Sequence, residues 1–250
     1  MTTGTLIAVG LGPGDPELIT LKALRALQGA GAVAYFAKAG NSSNAQTIAA
    51  AHLRPDVPQL PLLYPVTTEL DHKGEPYRRA IADFFDRSAA TLARELDRGI
   101  TVAVICEGDP LFYGSYMHLH ERLAPRYPTQ VIAGVTGMSG CWSSVGAPIA
   151  QGDDVFTVLP GTLAEDELAR RIRDTDAAVI MKVGRNLPKV RRALVATGRL
   201  DRALYVERGT MNGARTMRLA DKSDDVAPYF AIVLVPGWEA RQRTGAGGGT

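Results

Sequence analysis

Cysteine is nearly missing from this chain: Cys106 and Cys141 are the only two in 250 residues. Two thiols cannot build a disulfide framework or supply a tetrahedral metal site, so both are read as structural. Histidine is scarce as well, with four in the chain. No Cys/His cluster has ligand spacing, and His118 and His120, two apart on a predicted helix, face different sides and cannot jointly grip an ion; no metal is expected. No apolar run reaches membrane-spanning length, and the opening Met1-Thr2-Thr3-Gly4 lacks the basic start of a secretory leader. A cytoplasmic protein with no membrane partner is expected. An excess of charge of one sign is missing too, since Lys and Arg number 28 against 26 Asp and Glu, so nucleic acid is not the expected partner. No repeat of solenoid period occurs.

What is present is ordinary globular material, 46% hydrophobic and 22% charged, in a length that suits one large α/β domain or two smaller ones. Apolar runs alternate with helical patterns, the mark of parallel strands joined by helical crossovers. Residues 5–9 read as a first strand. Asp15 then caps a helix with Pro16 at its first position, Leu18, Leu21, Leu24 and Leu27 on one face, and Gly29 and Gly31 ending it. Residues 32–36, 100–105 and 130–133 read as strands, with a long helix over 77–98.

A polar break at residues 151–154 sets an expected domain boundary, giving an N-terminal α/β domain over 1–150 and a C-terminal α/β domain over 155–238. The second half reads as strand 155–159, helix 165–173, strand 177–183, helix 187–197, then strands at 203–206, 215–219 and 229–235. Successive late strands without helices predict a mixed sheet. The glycine-rich 239–250 segment reads as a flexible tail.

Three glycine-rich loops follow predicted strands, and in open parallel sheets ligands sit at the carboxyl ends of strands. The first, Gly10-Leu11-Gly12-Pro13-Gly14-Asp15, is not a dinucleotide fingerprint, because its third glycine falls one residue early and Pro13-Gly14 forces a rigid turn. The second runs Glu107-Gly108-Asp109-Pro110-Leu111-Phe112-Tyr113-Gly114-Ser115, where glycines beside aromatics let backbone approach a flat ligand. The third, Gly134-Val135-Thr136-Gly137-Met138-Ser139-Gly140, offers backbone N–H groups at a helix start.

Taken together, Val9-Gly10-Leu11-Gly12-Pro13-Gly14-Asp15, Glu107-Gly108-Asp109-Pro110 and Val206-Glu207-Arg208-Gly209-Thr210 resemble the tetrapyrrole (class III) methyltransferases over essentially the whole chain. Three further stretches, beginning at Tyr64-Pro65-Val66, Tyr113-Gly114-Ser115 and Ile180-Met181-Lys182, resemble members of that family acting on C20 of precorrin-2. The resemblance implies two α/β domains with a ligand cleft between them, S-adenosyl-L-methionine as methyl donor, a homodimer, and work in the aerobic cobalamin pathway before cobalt enters. Carried over by motif, the donor-binding positions are Pro13, Gly108, Asp109, Pro110, Tyr113, Thr136, Gly137, Lys182, Gly209, Thr210, Phe230 and Ala231.

Methyl transfer from a sulfonium is an in-line displacement, so alignment and exclusion of water are the main tasks. Methylation at C20 must be followed by loss of the C20 proton, for which Asp15, Glu107, Asp109 and His118 are the loop candidates; none is assigned as catalytic. Precorrin-2 carries carboxylates around its rim, for which Lys38, Lys73, Arg185 and Lys189 are candidate partners, and Tyr35, Tyr64 and Tyr113 could pack on the macrocycle. The readings left open are methylation of another tetrapyrrole carbon, of cobalt-precorrin-2, or of RNA or a modified histidine; a nicotinamide oxidoreductase; and a non-catalytic tetrapyrrole-binding protein.

Overall fold

A computed structural model describes residues 2–65 and 74–237. The expectations for Lys73, for residues 66–69 and for the 239–250 tail lie outside the described residues. By internal contacts the chain divides into two compact units, Met1–Gly137 and Met138–Thr250.

The first unit runs β1 (Leu6–Gly10), α1 (Leu21–Gly29), β2 (Ala32–Lys38), α2 (Asn44–Ala49), β3 (Gln59–Tyr64), α3 (Glu75–Asp97), β4 (Val102–Cys106), α4 (Tyr116–Leu123) and β5 (Thr129–Ile132). Its sheet has the order β3-β2-β4-β1-β5, and every pairing is parallel. A parallel sheet is covered on both faces, so its central strand reads as unbroken apolar sequence. β4 does so, with all five residues buried.

The two faces are filled by different crossovers. Ala23 and Leu27 of α1 and Ile48 and Ala49 of α2 pack with Val9, Val33 and Ile105 on one face. Phe84 and Leu92 of α3 and Tyr116 and Leu119 of α4 pack with Ala8, Val104 and Cys106 on the other. The neighbouring strands β1 and β4 therefore send their chains to opposite faces, and the loops that leave them part at the carboxyl edge. Such a switch point is where open α/β sheets bind ligands.

The entry to α1 differs from the sequence expectation. Asp15 does cap, accepting the Glu17 N–H at 2.9 Å, but only a single 3₁₀ turn, Pro16–Leu18. Ile19 and Thr20 are extended, and Thr20 Oγ1 accepts the Ala23 N–H at 3.1 Å to start α1. Two capping residues five apart produce two short elements in place of one helix. Leu21 consequently stands 70% exposed, and the buried face belongs to Ala23 and Leu27. The sequence reading also passed over α2 and β3. β3 is an edge strand carrying Pro61, a residue that sheets tolerate only at edges and bulges.

The second unit holds α5 (Gly137–Val145, which starts at the last residue of the first unit), β6 (Phe156–Pro160), α6 (Glu165–Arg173), β7 (Ala177–Met181), α7 (Leu187–Ala196), β8 (Leu204–Glu207), β9 (Arg215–Arg218) and β10 (Ala231–Val235). The sheet order is β6-β7-β10-β8-β9. Only β6 and β7 are parallel; the other pairings are antiparallel, the mixed sheet that the late strands predict. Leu168 and Ile172 of α6 and Val190 and Leu194 of α7 cover one face. On the other, Cys141 of α5 packs with Val179, Val206 and Ile232, backed by Met138, Trp142 and Val145. These contacts are why residues from Met138 onward count with the second unit, ahead of the polar break at 151–154.

The divided entry to α1 predicts a pattern of stabilities. Thr20→Ala should cost about 1 kcal/mol, the usual loss of an N-cap, and Leu27→Ala about 2–5 kcal/mol for a buried cavity. Leu21→Lys should stay within about 0.5 kcal/mol of wild type, as exposed changes do. Chemical denaturation of the three variants measures this, and a large loss at Leu21 would restore the single-helix reading.

Candidate functional site

Four glycines bring the three loops of the first unit together at the carboxyl edge of β4, β1 and β5. A Cβ at Gly10 would lie 2.5 Å from the Gly134 nitrogen and 2.8 Å from the Gly108 oxygen, and a Cβ at Gly134 would fall onto that same Gly108 oxygen. Side chains are thus excluded by backbone on both sides. Gly12 and Gly108 form an antiparallel bridge, with the Gly108 N–H donating to Gly12 O at 2.7 Å. Gly108 has φ +62°, which glycine adopts without steric cost.

Asp109 staples these loops. Its Oδ1 accepts the Leu111 N–H at 2.9 Å and its Oδ2 accepts the Gly134 N–H at 3.1 Å, so one carboxylate fixes its own turn and ties β4 to β5. Gly114 closes the turn, where a Cβ would approach the Pro110 oxygen to 2.7 Å. Tyr113 is held at φ +54°, is 45% exposed, and sets its ring edge-on to Phe112 at 4.9 Å. Thr136 and Gly137 complete the set, and a Cβ on Gly137 would meet nothing within 4 Å. Pro13 lies beside the bridge, half-buried after Gly12. All seven first-unit positions expected from sequence therefore stand on the three abutting loops.

The second unit gathers its five positions at one edge of its sheet. β7 and β8 end where their antiparallel partner β10 begins: Ala231 pairs with Glu207, and Val233 pairs with Ile180, two residues before Lys182. The Arg208 N–H donates to Phe230 O at 2.8 Å, which seats Gly209 and Thr210 beside Phe230 and Ala231. Lys182 has φ +55°, and its carbonyl accepts the Asn186 side-chain amide at 3.0 Å. Arg208 has φ +49°. A Cβ on Gly209 would lie 2.6 Å from Cys141 Sγ, so this loop rests directly on α5.

Among the described residues, Tyr113, Lys182 and Arg208 are the only non-glycines at positive φ. Such conformations cost about 1–3 kcal/mol each and concentrate at functional sites. Two of the three are expected donor positions and the third precedes one. Arg208, Asn186 and Gly161 were not singled out from sequence. Gly161 follows β6, with a would-be Cβ 3.1 Å from both the Met181 and Lys182 carbonyl oxygens. A glycine directly after a strand is the sequence signal for it, the same signal that marks the three loops of the first unit.

The remaining candidates separate by environment. Tyr64 hydrogen-bonds Ser115 and packs 4.5 Å from Phe84 within a cluster that includes Phe36 and Phe85. Tyr35 packs in the core on the α1/α2 face. His118 lies on the Phe85 ring at 4.3 Å and His120 Nδ1 is 3.2 Å from the Tyr116 hydroxyl. Lys38 ends β2, Arg185 is exposed in the 3₁₀ turn after β7, and Lys189 is half-buried in α7. Burial pushes both thiols up, Cys141 to about 11 with a Gly209 N–H working against it, so both are protonated and unreactive near neutral pH. Among the described residues no group of three His, Cys, Asp or Glu is arranged to hold a metal, and no helix is long and apolar enough to cross a membrane.

Comparison with known proteins places this geometry. Residues 5–221 match the family model described as Tetrapyrrole (Corrin/Porphyrin) Methylases. The chain belongs to that family. A Sinorhizobium protein named precorrin-2 C(20)-methyltransferase is 63% identical, over 95% of this chain and 97% of its own length. Two tetrapyrrole methylase structures share the fold. A cobalt precorrin-4 methyltransferase superposes with a TM-score of 0.70 at 22% identity, covering 94% of this chain and 95% of that one. The uroporphyrin-III C-methyl transferase of Thermus thermophilus, solved with S-adenyl homocysteine, gives 0.62 at 22% identity, covering 95% and 100%.

For this methylase the glycine contacts make a sharp contrast. Gly134→Ala should lose about 2 kcal/mol or more, since backbone must move to admit the methyl group. Gly137→Ala, with open space around it, should remain within about 0.5 kcal/mol of wild type. Urea denaturation decides, and equal stability of the two variants would mean the loops do not abut.

Proposed function

We propose that this chain transfers the methyl group of S-adenosylmethionine to C20 of precorrin-2, giving precorrin-3A in aerobic cobalamin biosynthesis. The observation that carries the reading is the 63% identity, over nearly the whole of both chains, to a protein named for that reaction. The donor-binding positions that the family resemblance assigns are Pro13, Gly108, Asp109, Pro110, Tyr113, Thr136 and Gly137 in the first unit and Lys182, Gly209, Thr210, Phe230 and Ala231 in the second. The loops suit such a ligand. Bare backbone at Gly137, at the start of α5, lets N–H groups meet an adenosyl group closely, and the open space there leaves room for it.

The chemistry asks little of the protein beyond placement. As C20 attacks the methyl carbon, the S–CH₃ bond breaks in line with the C20–CH₃ bond that forms, and the sulfonium becomes a neutral thioether. Rigid loops hold the donor while water is kept out, and the strained Tyr113 and Lys182 are the positions where the fold has given up stability for that placement. No metal is needed in the displacement. A homodimer and a cytoplasmic location belong to the same reading and rest on the family resemblance.

Incubation of the protein with metal-free precorrin-2 and ¹³C-methyl donor, in the presence of a chelator, should give one new methyl signal at C20 by NMR. Transfer to another carbon, or preference for the cobalt complex in a side-by-side assay, would overturn the substrate assignment. S-adenosylhomocysteine should bind with a Kd on the order of 1 μM, about −8 kcal/mol. Gly137→Leu, which meets no protein atom at its Cβ, should keep its melting temperature and bind the same compound at least about tenfold more weakly, a loss of about 1.4 kcal/mol. Unchanged affinity in that folded variant counts against the donor assignment.

A further inference from the structure

The step that the loops alone leave unassigned is removal of the C20 proton, and it rests on the reaction proposed above. Of the four loop candidates, the structure commits three elsewhere. Asp15 caps the Pro16–Leu18 turn through its Oδ1. Asp109 spends both oxygens on the Leu111 and Gly134 N–H groups. His118 lies against Phe85 on the α3/α4 face of the sheet.

Glu107 differs in place and in surroundings. It is the first residue after the central strand β4 and immediately precedes Gly108, the glycine that touches both other loops. Cys106 points to the α3/α4 face, and alternation turns Glu107 toward the α1/α2 face. There its carboxyl group accepts hydrogen bonds from the Asn44 side chain and the Ala45 N–H at the start of α2, so its direction is fixed. It is also exposed to solvent.

We propose that Glu107 is the catalytic base that takes the C20 proton after methyl transfer. The new C20–CH₃ bond leaves C20 tetrahedral, still bearing its hydrogen, with positive charge delocalised in the macrocycle. A Glu107 oxygen removes that hydrogen as a proton, the C–H electron pair restores the ring double bond, and the carboxylic acid passes the proton to water through its exposed side. No oxidant or further reactant enters.

The surroundings favour the role. Although the residue keeps an exposed side, the protein packed around its carboxyl group partly desolvates it and holds it above the usual glutamate range, against the two hydrogen bonds, which pull the other way. A raised pKa makes the carboxylate a better proton acceptor. The ionisable groups around it are few: α2 contributes Asn44 and Ala45, which do not titrate. The Cys106 thiol is pushed far up by burial and then by the charges of Glu107 and Asp109, and Asp109 is held in its turn.

The test is Glu107→Gln, whose amide oxygen can still accept from Asn44 and Ala45. Because the carboxylate is destabilised in the folded protein, its stability contribution falls as pH rises through the raised pKa, and the neutral variant should melt no lower than wild type at pH 7. S-adenosylhomocysteine affinity should be unchanged, while kcat for precorrin-2 falls by about 100-fold or more. The acidic limb of the wild-type kcat profile should disappear. With C20-deuterated substrate, an isotope effect should emerge in the variant, since proton loss becomes the slow step. Wild-type turnover, an unchanged acidic limb or an unchanged isotope effect in the folded variant would overturn the assignment, as would a loss of turnover that tracked a loss of stability. If the wild-type protein binds S-adenosylhomocysteine yet leaves precorrin-2 unmethylated at C20, the proposed function fails, and the base with it.

Discussion

The architecture of the first unit depends on backbone lying against backbone where Gly10, Gly108 and Gly134 meet. Three adjacent parallel strands end in loops that would be forced apart by even one methyl group at Gly10 or Gly134. Without side chains there, the loops join through main-chain contacts and the Asp109 staple. The result is a surface of peptide groups that is rigid because it is built from strand ends. A site on strand ends is placed more precisely than one on free loops, which is what an in-line displacement demands.

The second unit reaches a comparable end by other means. Its sheet is mixed, so the edge carrying Lys182 and Gly209 is formed by two strand ends and one strand beginning. Two residues there, Lys182 and Arg208, sit in the left-handed region, and each is held by a hydrogen bond of its own: Asn186 onto the Lys182 carbonyl, and Arg208 N–H onto Phe230 O. Strain survives when its surroundings over-determine it. The first unit shows the same at Tyr113, wedged between the Asp109 turn and Gly114.

Much of this was legible because the same residues do two things in the sequence. The unbroken apolar runs that mark β4 and β7 are also what buries them, and glycines after strands are both turn formers and close-approach points. Helix α6 was legible to the residue, because acids at Glu165, Asp166 and Glu167 and arginines at 170, 171 and 173 complement its dipole. The failures have equally local causes. Asp15 and Thr20 are both good caps, and periodicity alone could not say that each starts its own element. α2 is six residues long and rich in Ala, Asn, Gln and Thr, too short for a 3.6-residue period to register. The left-handed conformations of Lys182 and Arg208 could not be read at all, since neither residue type favours them.

The two acids of the β4 loop show how one turn divides its chemistry. Asp109 and Glu107 sit two residues apart on either side of Gly108, yet one is saturated by N–H donors from its own turn and from β5, while the other faces α2 and remains in contact with solvent. The short side chain of aspartate suits the staple, because it reaches the N–H two residues on without losing much rotamer freedom. Glutamate, longer by one methylene, carries its carboxyl group away from its own turn and into a neighbour's reach. Exchanging the two would leave Gly134 without its acceptor and would draw the second carboxylate back into the turn. The order Glu-Gly-Asp therefore specifies which carboxylate becomes structure and which stays free to exchange protons, with Gly108 supplying the φ of +62° that lets the chain turn between them.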